Sequence, residues 1–157
     1  MTDQKMNYDK LSRWVAVIAN LGVLLGLFVV VFELQQNRLA TEAQTRSDVS
    51  NASYDSTLRW AESPEIVTVI TKLSSGEQLT AEEQIILTFV RVSEARRWEN
   101  TYYQYERGLF EESEFEALSQ IWRRRMNGPM YEDYWTPFNK SGYSRNFIEY
   151  IETLIED

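Results

Sequence analysis

The chain has 157 residues, a net charge of −8, and neither cysteine nor histidine. Those absences exclude Cys–His and Ser–His–Asp catalysis, thiolate or imidazole zinc sites, His-ligated haem, disulfides and the Glu-x-x-His motif of di-iron centres. The excess of acid argues against nucleic acid as a partner, because phosphate binding needs clustered cations.

Trp14 to Phe32 read WVAVIANLGVLLGLFVVVF, with no charge and one strongly polar side chain, Asn20. At ~1.5 Å per residue the run spans about 28 Å, close to the ~30 Å hydrocarbon core of a bilayer. Lys10 and Arg13 bound it on one side, and Glu33, Gln35, Gln36, Asn37 and Arg38 on the other. A charge at mid-bilayer costs several kcal/mol, so this sharp boundary predicts a transmembrane helix over 14–33, after an N-terminal tail, 1–13. The run exceeds the ~7–15 residues of a signal-peptide core and no Ala-x-Ala site follows, so it reads as an uncleaved signal anchor. Lys5, Lys10 and Arg13 precede it while Arg38 and Arg46 follow, and positive-inside counting puts the N-terminus in the cytoplasm. Asp3, Asp9 and Glu33 balance the three leading cations, so the whole −8 lies beyond the anchor. Anionic headgroups repel such a body.

Within the run, Gly22 and Gly26 form a GxxxG pair, and Ala19 extends the small-residue stripe by a turn. Small side chains let two helix backbones approach closely, and Asn20 beside them can hydrogen-bond across the contact. Ala19, Asn20, Gly22 and Gly26 are therefore the candidate membrane interface, toward a second copy or another membrane protein.

From Glu33 to Glu62 the sequence has neither proline nor glycine, which predicts that the anchor continues as a juxtamembrane helix over 34–62. Its apolar positions, Leu39, Ala43, Val49, Tyr54, Leu58 and Trp60, hold no clean heptad, so a self-sufficient coiled coil is not indicated. A helical bundle is expected over 63–157. Ser63-Pro64-Glu65 reads as an N-cap with proline at the first helical position, opening a helix that stops near Ser74-Ser75-Gly76. Thr80 and Glu83 fit a capping box for a helix from Ala81 to about Arg107, stopped by Gly108. Ile85, Phe89, Val92, Trp98 and Tyr102 spread over its faces, which predicts a place at the centre of the core. Glu111 to Met126 follows, with Phe115, Leu118, Trp122 and Met126 at helical spacing. Its glutamates lie early and Arg123-Arg124-Arg125 late, where a helix dipole favours them and where local glutamates can pair with them. After an irregular stretch with Tyr131, Tyr134, Trp135 and Phe138, Ser144 caps a last helix whose face is Phe147, Ile151 and Leu154. The fold class is all-α.

Trp98-Glu99-Asn100-x-Tyr102-Tyr103-Gln104 is read as a core aromatic pair with Glu99 and Asn100 satisfying backbone or helix ends. The alternative is a ligand pocket walled by Trp98, Tyr102, Trp122 and Trp135, of a few hundred Å³. No spacing singles out catalytic, cofactor-binding or metal-binding residues. The order of these features resembles a family of short, uncharacterised bacterial single-pass membrane proteins. The resemblance rests on the membrane helix, the Gln35-Gln36-Asn37-Arg38 stretch after it, the Trp98–Gln104 motif before Gly108, and the aromatic helix with Phe115 and Trp122. It implies a stable domain type and brings no activity with it; with the positive-inside count, the expected location is a bacterial inner membrane, N-terminus cytoplasmic and C-terminal domain periplasmic. The expected function is a membrane-anchored interaction or accessory protein, a subunit or self-associating component of a membrane complex. The alternative is a membrane-tethered sensor for an apolar small molecule or lipid.

Overall fold

The computed structural model describes the backbone of residues 2–156 and the side chains of 10–155. Six helices follow one another: α1 (Thr2–Glu62), α2 (Pro64–Ser75), α3 (Ala81–Glu106), α4 (Glu112–Met126), α5 (Pro137–Lys140) and α6 (Arg145–Glu156). No strand occurs among the described residues. The chain divides into two compact units, 1–41 and 42–157, so the last third of α1 belongs with the helices that follow it. The second unit therefore begins well ahead of Ser63, where the bundle was expected to start. Helix α1 is already under way at Thr2, within the expected tail.

The helix ends are built by local chemistry. Ser63 Oγ accepts the Ile66 N–H at 3.3 Å, and Gly76 closes α2 at φ 72°, where a Cβ would be strained. Thr80 and Glu83 form the capping box in both directions, at 3.2 and 2.8 Å. Lys72 of α2 bonds Glu83 at 2.7 Å, and this bond, with the Thr80 N–H, holds the Glu83 carboxyl below its ordinary range. Gly108 takes φ 67° at the end of α3. The stretch expected to be irregular contains α5, a single turn capped by Thr136 with Pro137 at its first position. Glu111 stands at the N-cap of α4 and Ser144 ahead of α6, where the Ser144 carbonyl accepts the Ile148 N–H at 3.0 Å.

The core is aromatic. Trp98 lies between Trp122 and Tyr131, each ring centre 5.3 Å away and nearly parallel, which joins α3, α4 and the segment after α4. Phe115 meets Trp122 edge-on at 5.7 Å, and Phe147, Ile151 and Leu154 of α6 close the cluster. Ile85, Phe89 and Val92 do not enter the core; Phe89 is 71% exposed. The buried face of α3 is instead Leu87, Val90, Ala95 and Trp98 together with the polar Arg91, Glu94 and Thr101. At 100° per residue Phe89 and Val92 fall opposite Glu94, so once the charged row turns inward the apolar row must turn out.

Trp122→Ala should therefore cost about 3–5 kcal/mol, the range for deleting a buried aromatic, whereas Phe89→Ala should change stability by less than about 0.5 kcal/mol. Urea unfolding of both variants, followed by near-UV circular dichroism, checks the ordering. Equal losses would mean that α3 packs by its other face.

Candidate interaction surfaces

In the first unit, α1 carries one segment long and apolar enough to cross a membrane. Ala19, Asn20, Gly22 and Gly26 are all exposed on it. A Cβ built on Gly22 or Gly26 meets nothing within 4 Å, so the backbone there is open to close approach. The Asn20 amide hydrogen-bonds to no described residue. In hydrocarbon such an amide costs several kcal/mol unless another chain completes it.

In the second unit, the last third of α1 turns Thr45, Val49, Ser53, Ser56 and Trp60 toward the other helices, every third or fourth residue half-buried. These positions are mostly small and polar, while Tyr54 and Leu58 face outward, 65% and 39% exposed. The segment is therefore held by polar contacts. Arg46 pairs with Glu114 of α4 at 2.5 Å. Ser53 Oγ accepts from Arg97 at 3.4 Å, Ser56 Oγ donates to Glu94 at 3.4 Å, and the Arg125 guanidinium lies over the Trp60 ring.

Glu94 is the centre of this seam. Its side chain is 2% exposed and receives Arg97 from its own helix at 3.0 Å and Arg125 from α4. Burying a carboxylate is costly unless cations and hydrogen bonds replace its water, and here two guanidiniums and a hydroxyl do so. Arg125 was expected to complement the α4 dipole and its local glutamates; its partner is instead Glu94 on α3, a contact that only tertiary packing creates. Glu94 itself went unnoticed in the sequence. The signal was the row Leu87, Arg91, Glu94, Trp98, in which two charges occupy the same face as a core tryptophan.

The four rings of the suggested ligand pocket are distributed through the core. Trp98 and Trp122 are buried against each other, with the Trp98 Nε1 lacking an acceptor among the described residues. Tyr102 stacks on Tyr150 at 4.6 Å and donates to Glu106 at 3.1 Å; burial first, and that carboxylate second, push its pKa up to about 12. The phenol is neutral at physiological pH. Trp135 packs on Tyr143 and Phe147 and borders a depression of about 300 Å³ with Met126, Tyr131 and Lys140. Glu99 takes the structural part expected of it. It accepts the Ser144 N–H at 2.6 Å and Arg96 at 2.7 Å, joining the end of the α5–α6 turn to α3. Burial raises its pKa, but the Ser144 N–H and Arg96 together outweigh that and hold the carboxyl below its ordinary range.

No family model, curated protein or solved structure matches the chain.

Glu94→Gln should destabilise the second unit by about 1–3 kcal/mol. This is less than for a fully buried pair, because Arg125 is partly exposed and can turn to water once its partner is gone. Chemical denaturation gives the value, and no loss at all would mean the seam is dispensable. Because the folded-state pKa of Glu99 is depressed, its contribution is present above the unfolded value and disappears as pH falls through the folded one. Thermal melts from pH 7 down to about 3 should show the wild type losing more stability in acid than Glu99→Gln. Parallel curves would contradict that linkage.

Proposed function

We propose that this chain is a single-pass, membrane-anchored interaction module, a subunit or self-associating component of a membrane complex. In this reading it resides in a bacterial inner membrane, with the N-terminus cytoplasmic and the bundle periplasmic. The carrying observation is the uncovered apolar run. From Trp14 to Phe32 every large hydrophobic side chain is between 48% and 72% exposed, a continuous patch that water would not tolerate on a stable monomer. A bilayer covers all of it.

Lipid cannot, however, complete Asn20. A neighbouring helix seated on Ala19, Gly22 and Gly26 supplies both a close backbone and a hydrogen-bonding group, so the partner is another membrane helix, from a second copy or from a different protein. The polar seam around Glu94 supports the same reading, because it packs the last third of α1 into a folded unit able to present a surface to a partner. The sensor reading, with an apolar ligand among Trp98, Tyr102, Trp122 and Trp135, has less support, since Trp98 and Trp122 already fill the space between them.

Mild detergent extraction of the full chain, size exclusion with light scattering, and mass spectrometry of co-eluting proteins test the proposal. The wild type should elute as a homo-oligomer or with a stoichiometric membrane partner. Gly22→Ile combined with Gly26→Ile should weaken that association at least about tenfold, or ~1.4 kcal/mol. An unchanged assembly in the double variant would overturn the membrane interface.

A further inference from the structure

A cleft of about 560 Å³ opens between the α2–α3 turn, α3 itself and the Pro129–Asp133 segment. That volume is within the ~300–1,000 Å³ of small-molecule sites. Leu73, Leu79, Leu87 and Pro129 give it an apolar wall. Its inner end is Arg91, whose side chain is 7% exposed. Arg91 Nε donates to the Met130 carbonyl and Nη2 to Asp133 at 2.6 Å, while Nη1 donates to no described protein atom. A guanidinium presents five N–H groups in a fixed fork, so this buried cation keeps an edge free for an acceptor. Gln78 and Gln84 line the same cleft, and their side-chain amides bond to no described residue. At its exposed end Glu132 has no described partner, and Glu77 is held by the Ser75 hydroxyl at 2.7 Å.

From this polarity we infer that the cleft binds a short aliphatic zwitterion, a free amino acid or dipeptide with a leucine-like side chain. The ligand carboxylate takes the open edge of Arg91 with a glutamine amide beside it. The ammonium meets Glu132 and Glu77, and the side chain lies on the leucine wall. Other chemistries match only one end. A simple anion encounters Asp133, Glu132 and Glu77, and a simple cation encounters a buried guanidinium. A metal ion finds no converging group of three acidic side chains among the described residues. A flat aromatic ligand has no ring in the lining to stack on. This inference needs neither the membrane anchor nor a partner protein, so it stands or falls separately from the proposed function.

Titration calorimetry on the full chain in detergent tests it, with L-leucine and the dipeptide Leu-Leu as probes. Leucinamide lacks the carboxylate and 4-methylpentanoate lacks the ammonium, and they serve as the stripped controls. One of the two zwitterions should bind saturably and at least about tenfold tighter than either control; which one does so identifies the source. Glu132→Gln should weaken the zwitterion several-fold while 4-methylpentanoate, freed of one like charge, binds no more weakly than before, and Leu79→Trp should fill the cleft and abolish binding. Arg91 also anchors Met130 and Asp133, so these two variants at less buried positions are the cleaner ones, with circular dichroism confirming the fold. The inference is overturned by no binding of either zwitterion up to about 10 mM, a level far weaker than a functional site would need. Equal affinity for the stripped controls, or unchanged binding in Glu132→Gln, would overturn it equally.

Discussion

The indole of Trp98 sets the order of the second unit, because rings from two other parts of the chain stack on it. Trp122 arrives from α4 and Tyr131 from the segment after it, so three separate stretches must be in place before the stack closes. Stacked and edge-on rings at these distances add about 0.5–1.5 kcal/mol per pair to the burial of their apolar area. Around that stack the remaining rings assemble by contact: Phe115 against Trp122, Tyr105 parallel to Phe115 at 3.9 Å, and Tyr102 against Tyr150.

One helical turn before Trp98, the same face of α3 carries Glu94, and this placement decides how α1 is held. A row of leucines would have given α1 an adhesive but permissive contact. The buried carboxylate, with Arg97, Arg125 and Ser56 converging on it, accepts one geometry only. Ionic contacts of this kind contribute less net stability than apolar packing of equal size, and their value lies in register.

Arg91 repeats the arrangement on the far side of the same helix face, with a different consequence. Glu94 is saturated with donors, whereas Arg91 ends with an unused amino group facing a cleft. The two buried charges thus divide the work. One closes the contact with the last third of α1 and the other leaves an N–H edge without a protein acceptor in the lining of a cleft, on a helix whose third buried polar side chain, Thr101, is satisfied locally by the Arg97 carbonyl at 3.0 Å.

Features that depend on a few neighbouring residues could be read directly from the chain. The apolar run, the Ser63-Pro64 start, the Thr80–Glu83 capping box, the Gly76 and Gly108 stops and the spacing of Phe115, Trp122 and Met126 all follow from local propensity and periodicity. The all-α class follows from their sum. Where α3 turns its faces was not available in that way. Ile85, Phe89 and Val92 are as hydrophobic as the residues that were buried, and the opposite face is the inner one because partners distant in sequence meet it: Trp122 and Tyr131 on Trp98, and Arg125 on Glu94. The same holds for Arg91 and its cleft, whose walls come from α2, α3 and the segment after α4. A polar side chain becomes a core residue only when its partners arrive from elsewhere in the chain, and local pattern carries no record of that arrival.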